Sequence, residues 1–195
     1  MEQPDAGDRQ GAFSLLNGDM STIFYFAYGS NMSTPRIRRR IQSARVLSSA
    51  YLTGHCLRFR KKSVDGSAKC DIEYTRVGDD RVHGVVYEIP VDDKNVLDRY
   101  EGLGSGYEDR QVSIVLPGDE PIIASTYFAT HIDASLKPFH WYKEHVLRGA
   151  YEHTLPGDYV EAIEAVHSIP DPDRDKHTAE LSIYSDKPAF VQYPG

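Results

Sequence analysis

The 195-residue chain has two cysteines, Cys56 and Cys70, one tryptophan and three methionines. Two cysteines are too few for a disulfide framework, and that scarcity fits a reducing, cytoplasmic setting. No apolar run approaches the roughly 20 residues needed to cross a bilayer. The first residues, Met1 to Asp8, are polar and acidic rather than basic and then apolar, so they lack the pattern of a secretion signal. The eight histidines include no i, i+4 pair and there is no Cys-x-x-Cys, which argues against a metal site. Acidic residues outnumber basic ones, 29 to 22, and the net charge of −7 disfavours nucleic acid or an anionic membrane as principal partner. The basic run Arg36, Arg38, Arg39, Arg40 reads as a solvated helix face rather than a nucleic-acid patch.

Residues 1–21 are rich in Gly, Asp, Gln and Ser without periodicity and read as a mobile leader. Thr22 to Tyr28 is a continuous apolar, aromatic strand. Ser33-Thr34-Pro35 starts a short helix, with a hydroxyl at the cap and proline in the first turn. Extended stretches follow over Ala44 to Lys62, Lys69 to Arg76 and Arg81 to Ile89, the first two separated by the turn-like Asp65-Gly66-Ser67. Pro90 and the acidic pair Asp92-Asp93 introduce a helix that Gly102 stops. Val112 to Leu116 and Ile122 to Ala129 form a strand pair, and two helical patterns follow: Phe139, Tyr142, Val146, Ala150, then Tyr159, Ile163, Val166. Beyond Ile169 the run Pro170 to Asp175 has no apolar period and reads as an extension over the surface, occupying 169–195. Strands outnumber helices without regular alternation, so the expected fold is α+β: a curled mixed sheet or small β-barrel with flanking helices, in one domain over 22–168.

Two segments suggest chemistry. Tyr25-Phe26-Ala27-Tyr28-Gly29-Ser30-Asn31 ends a strand in a small-residue turn, whose backbone N–H groups can cradle an anion or can serve only the bend itself. Glu101, in the last helical turn before Gly102, sits where the helix dipole slightly disfavours a carboxylate, which points to a purpose beyond helix stability. The next residues, Gly102 to Tyr107, hold three glycines in five positions and read as a flap or a plain loop; no Lys-Ser/Thr pair follows, which argues against a phosphate loop.

These segments resemble the gamma-glutamylcyclotransferase family. The resemblance rests on the strand running into Tyr28-Gly29-Ser30-Asn31, on His83-Gly84-Val85-Val86-Tyr87, and on Leu97-Asp98-x-x-Glu101-Gly102. It continues with Tyr142 ahead of Gly149-Ala150 and Leu155-Pro156, and spans about Thr22 to Ser168. It implies a β-barrel with flanking helices and cyclisation of a γ-glutamyl amide to 5-oxoproline, a reaction of glutathione metabolism, without cofactor. Glu101 would be the acid/base; Tyr25, Phe26, Ala27, Tyr28, Gly29, Ser30 and Tyr142 would bind the substrate. The spacing to Tyr107 varies among relatives, which leaves its role open. Glutathione-specific relatives carry an apolar residue where this chain has Asn31. The leaving group could instead be a γ-glutamyl amine or a biosynthetic protected intermediate, or the fold could be a non-catalytic binding module. A homodimer is compatible with this reading.

Overall fold

The computed structural model describes residues 21–185. But for Ser21, the expected leader lies outside the described residues, as does 186–195 of the expected extension. The architecture is α+β. Five strands close a barrel: β1 (Thr22–Ala27), β5 (Arg81–Pro90), β2 (Arg45–Thr53), β6 (Tyr107–Val115) and β7 (Pro121–Ala129), in that order around it. Neighbours are antiparallel except at the closing seam, where β1 meets β7 in parallel at Tyr25 and Ser125. A separate hairpin, β3 (His55–Lys62) with β4 (Ala68–Tyr74), stands beside the barrel. The helices are α1 (Thr34–Arg40), α2 (Val91–Glu101), α3 (His140–Glu152), α4 (Gly157–Glu164) and α5 (Arg174–Leu181).

Burial explains the sequence patterns. Tyr25, Phe26 and Ala27 on β1, and Val85, Val86 and Tyr87 on β5, are all buried, so both faces of this strand pair are covered and the runs are continuously apolar. β6 begins at Tyr107, five residues ahead of the expected Val112, because Glu108, Arg110 and Gln111 pair with β7 while showing their side chains to solvent. The stretch expected to run unbroken from Ala44 to Lys62 is divided at Gly54, whose φ of +70° turns the chain out of the barrel and into the hairpin. Glycine likewise stops α2: Gly102 takes the left-handed conformation (φ 67°, ψ 47°).

α3 is the most enclosed helix, buried from Trp141 to Ala150. Ion-paired and hydrogen-bonded polar groups share that burial. The segment after Ile169 contributes to it chiefly through buried residues on either side of α5, a helix with no buried residue of its own. Asp171 accepts a hydrogen bond from Trp141 Nε1 at 2.7 Å, and Tyr184 lies 2.7 Å from both His145 Nδ1 and Ser33 Oγ. Glu180 accepts from Arg36 at 2.6 Å. The absence of an apolar period in this segment follows from its attachment by polar side chains.

Burial, with the nearby Arg36 charge acting in the same direction, holds the His145 imidazole neutral and moves its pKa down to about 3. The neutral ring accepts from Arg36 at Nε2, 2.7 Å away, and presents its Nδ1 hydrogen to Tyr184. An unfolded histidine takes up a proton near pH 6.5, so below that pH the unfolded chain binds more protons than the folded one. Unfolding free energy from urea titrations should therefore fall as pH drops from about 6.5 toward 3, with His145 contributing up to about 1.4 kcal/mol per pH unit. His145→Gln should flatten that slope; an unchanged slope would show that the ring is protonated in the fold.

Candidate functional site

The strand β1 delivers Tyr25 to the barrel rim and then gives way to a tight turn, a single 3₁₀ turn over Ser30–Met32. Among the described residues the backbone N–H groups of Tyr28, Gly29, Ser30 and Asn31 donate no hydrogen bond, whereas the next two, of Met32 and Ser33, donate to Gly29 and Ser30. The four residues that carry these donors line a small, half-open cleft of about 30 Å³. A set of N–H groups like this is suited to negative charge or to a polarised carbonyl.

The turn is held in place from behind by α3. An added Cβ at Gly149 would lie 2.4 Å from Met32 Cβ and 2.5 Å from Ser33 N, so only glycine allows the helix to meet the turn backbone to backbone. From the barrel side, Tyr87 donates to Met32 O at 2.7 Å.

Opposite the turn stands Glu101, at the end of α2. Its Oε1 accepts two hydrogen bonds, from Asn31 Nδ2 at 2.8 Å and from Arg40 Nη1 at 3.0 Å. Arg40 Nη1 also donates to Asn31 Oδ1 at 2.9 Å, and Asn31 Nδ2 donates to the Tyr25 hydroxyl at 3.0 Å. The guanidinium of Arg40 stacks on the Tyr100 ring, 5.1 Å from its centroid. Oε1 is thus fixed from two elements, while Oε2 accepts no hydrogen bond among the described residues. Both side chains of the ion pair retain 16% of their exposure, so the carboxylate is sheltered and still reachable.

The remaining walls are phenols and one thiol. Tyr142 on α3 accepts from Cys70 N at 3.0 Å, and Tyr107 donates to Cys70 O at 2.8 Å. Tyr28 donates to Tyr127 O. Burial raises the pKa values of Tyr25, Tyr28, Tyr107, Tyr127 and Tyr142 well above the ordinary phenol, and raises that of the Cys70 thiol in the same way. All of them stay protonated at neutral pH. Among the cleft-lining residues, Glu101 alone is a carboxylate.

Of the residues expected at a site, Tyr25, Tyr28, Gly29, Ser30, Glu101 and Tyr142 line this cleft together. Phe26 and Ala27 do not: Phe26 is fully buried, against the position of Gly84, and Ala27 is buried in the barrel. Tyr107, whose place was open, lines the cleft, as do Asn31, Cys70 and Tyr127. The Arg36–Arg40 run is not a uniform solvated face. Arg38 and Arg39 are exposed, but Arg36 is buried and Arg40 is bound to Glu101. Asp98, one turn before Glu101, is taken up by Lys94 and by the Tyr127 hydroxyl at 2.5 Å. The glycine-rich loop is a compact turn closed by backbone bonds, including Gly106 N to Gly102 O at 2.9 Å. No group of three or more His, Cys, Asp or Glu able to hold a metal occurs among the described residues, and none of their helices is long and apolar enough to cross a membrane.

Barrel and cleft together define an α+β protein that presents one carboxylate among protonated phenols, opposite a row of free backbone amides. A profile described as the AIG2-like family matches residues 81–163. Gamma-glutamylcyclotransferase from Homo sapiens is 32% identical over 161 residues, covering 80% of this chain and 85% of the human protein; that from Bos taurus is 31% identical with the same coverage. A solved structure of a gamma-glutamyl cyclotransferase superposes with a TM-score of 0.72 at 27% identity, covering 82% of this chain and 99% of the other. The chain belongs to the gamma-glutamylcyclotransferase family.

The close contact behind the turn is testable. Gly149→Ala gains helix propensity but forces a methyl into the backbone of Met32 and Ser33. It should cost about 1–3 kcal/mol as overpacking, a drop in Tm of about 2–4 °C per kcal/mol for a chain of this size. Differential scanning calorimetry that finds Gly149→Ala as stable as the parent would contradict the packing described.

Proposed function

We propose that this protein cyclises a γ-glutamyl amide to 5-oxoproline and releases the attached amine or amino acid. The observation that carries the reading is Glu101: a carboxylate anchored through Oε1, with Oε2 unengaged, and the sole carboxylate among the lining residues. In the reaction, the substrate's α-ammonium must lose a proton before its nitrogen can attack the γ-carbonyl carbon. Glu101 Oε2 accepts that proton. The new C–N bond closes the five-membered ring, the proton held by Glu101 passes to the leaving nitrogen as its bond to carbon breaks, and the ring nitrogen sheds its second proton through the same carboxylate to the departing amine, which leaves as the ammonium. The products together have the composition of the substrate, so no water or other reactant is consumed.

The unpaired N–H groups of Tyr28 to Asn31 supply the binding side of the scheme. They suit the α-carboxylate and the oxygen that gains negative charge as the ring closes. Tyr142, held by Cys70 N, lies 3.3 Å from a Cβ placed at Gly29, so the absence of a side chain there keeps the approach to these amides open. Folding the substrate so that amine and carbonyl meet contributes several kcal/mol, since oriented intramolecular reactions reach very high effective molarities. The Asn31–Arg40 clamp fixes Glu101 at the required place and orientation, as general acid–base catalysis demands.

The test is release of 5-oxoproline from a panel of γ-glutamyl amino acids, peptides and amines, measured for the parent protein and Glu101→Gln. The substitution preserves shape and leaves binding in place but cannot accept the proton. Turnover should fall roughly 10²–10⁴-fold, the usual worth of a general base. Near-parental turnover by Glu101→Gln would remove Glu101 from the role, and no product from any substrate with the parent protein would overturn the reaction itself.

A further inference from the structure

The cleft holds one carboxylate and, among its lining residues, no cation. A γ-glutamyl substrate brings an α-carboxylate as well as an α-amine, both on the same carbon. The amine falls to Glu101, so the carboxylate calls for a positive charge close by. Arg40 is committed to Glu101 and Asn31, Lys94 to Asp98 and Asp109, and Lys69 to Asp65. Lys61, on β3, is different. It is only 9% exposed, yet its ammonium forms no hydrogen bond or ion pair among the described residues.

Its surroundings put that ammonium beside the cleft. Nζ lies over the ring of Tyr107, 4.8 Å from the centroid, and Tyr107 lines the cleft. The same hairpin carries Cys70, whose backbone binds the Tyr107 and Tyr142 hydroxyls and whose Cβ would stand 3.2 Å from a Cβ at Gly29. Room for the head group comes from Gly106: a Cβ there would lie 2.8 Å from Nζ and 3.1 Å from Cε. The φ of Gly106 is outside the left-handed region, so the turn itself does not require glycine at this place in the 102–107 loop. Burial lowers the Lys61 pKa, and Glu101 is the largest of the charges opposing that shift, ahead of Asp65. An aromatic face accepts from the ammonium only weakly, and a sheltered cation with three donors and no acceptor is costly until one arrives.

Resting on the cyclotransferase reading above, we propose that Lys61 is a substrate-binding residue that supplies the counter-charge for the α-carboxylate of the γ-glutamyl group. The backbone amides of Tyr28 to Asn31 offer only partial charges. A full charge from Lys61 completes the anion side of the cleft, while Glu101 takes the amine side. With the α-amine at Glu101 Oε2, the carboxylate on the same carbon comes within the neighbourhood that Lys61 serves. The flexible four-carbon stem lets the ammonium swing toward its oxygens. Charge pairing on both substituents of the α-carbon fixes the rotation of the glutamyl chain, which sets the amine against the γ-carbonyl. Neither contact depends on what the leaving nitrogen carries.

The experiment compares γ-glutamyl-alanine with 4-aminobutanoyl-alanine, which keeps the amine, the amide and the leaving group and lacks only the α-carboxylate. Cyclisation of the second compound yields 2-pyrrolidinone and the same alanine; where it is not turned over, its inhibition constant against γ-glutamyl-alanine is compared instead. Lys61→Met keeps nearly the same chain length over Tyr107 and removes the charge, and circular dichroism checks its fold. It should lower kcat/KM for γ-glutamyl-alanine roughly ten- to a hundredfold, the worth of a hydrogen bond to a charged group. The loss should lie in KM rather than kcat and should exceed the loss on the analogue by about tenfold or more. Lys61→Arg should recover part of that difference. Gly106→Ala, which pushes the ammonium aside, should show the same selective loss in weaker form and decides the matter if Lys61→Met does not fold. Losses equal on the two compounds, or no loss on γ-glutamyl-alanine, would overturn the role of Lys61 while leaving the reaction in place. If the parent protein yields no 5-oxoproline, the reaction is wrong and the assignment of Lys61 falls with it.

Discussion

The hydrogen-bonded clamp on Glu101 Oε1 ties together parts of the chain that have no other reason to meet. Asn31 comes from the turn after β1, Arg40 from the end of α1 and Glu101 from the last turn of α2, 70 and 61 residues from its two partners. Asn31 is the member fully engaged within it: its amide donates to Tyr25 and Glu101 and accepts from Arg40. An uncompensated carboxylate this sheltered would be expensive, so the clamp is what permits an acid to be kept in a cleft of phenols. It also divides the labour of the carboxylate, with one oxygen structural and the other unengaged.

The barrel and α3 provide the rigid background. Close backbone contact at Gly149, the Tyr87 bond to Met32 O and the polar attachment of Tyr184 to Ser33 all converge on the turn that carries the unpaired amides. Four donors without acceptors would favour rearrangement if the turn were free to move. Fixing it from three directions keeps them available. The C-terminal helix takes part through Arg36 and His145, so the segment beyond Ile169 is joined to the same scaffold that holds the site.

Local signals made part of this legible in the sequence. An aromatic strand ending in Tyr28-Gly29-Ser30, and a carboxylate just before a helix-stopping glycine, each place a residue by the geometry of its own element. Closure of the barrel and the pairing of those two segments depend on long-range contacts, and there the family pattern rather than periodicity supplied the expectation. Phe26 and Ala27 were grouped with their neighbours by motif, but successive strand residues face opposite ways, and Phe26 belongs to the packed interior. Arg40 was hidden inside a run of arginines, since nothing local distinguishes a guanidinium that reaches a distant carboxylate from one in solvent. α5 carries no sequence signal of that kind because polar bonds hold it, and apolar period is what marks a surface helix.

A crystal structure of Glu101→Gln with a γ-glutamyl peptide bound tests the central claim most directly. The account predicts the ligand's α-nitrogen within about 3–4 Å of the side-chain atom that replaces Oε2, with its α-carboxylate or γ-carbonyl oxygen against the N–H groups of Tyr28 to Asn31. A ligand seated in the cleft with its α-nitrogen turned away from residue 101, or bound outside the cleft altogether, would contradict it.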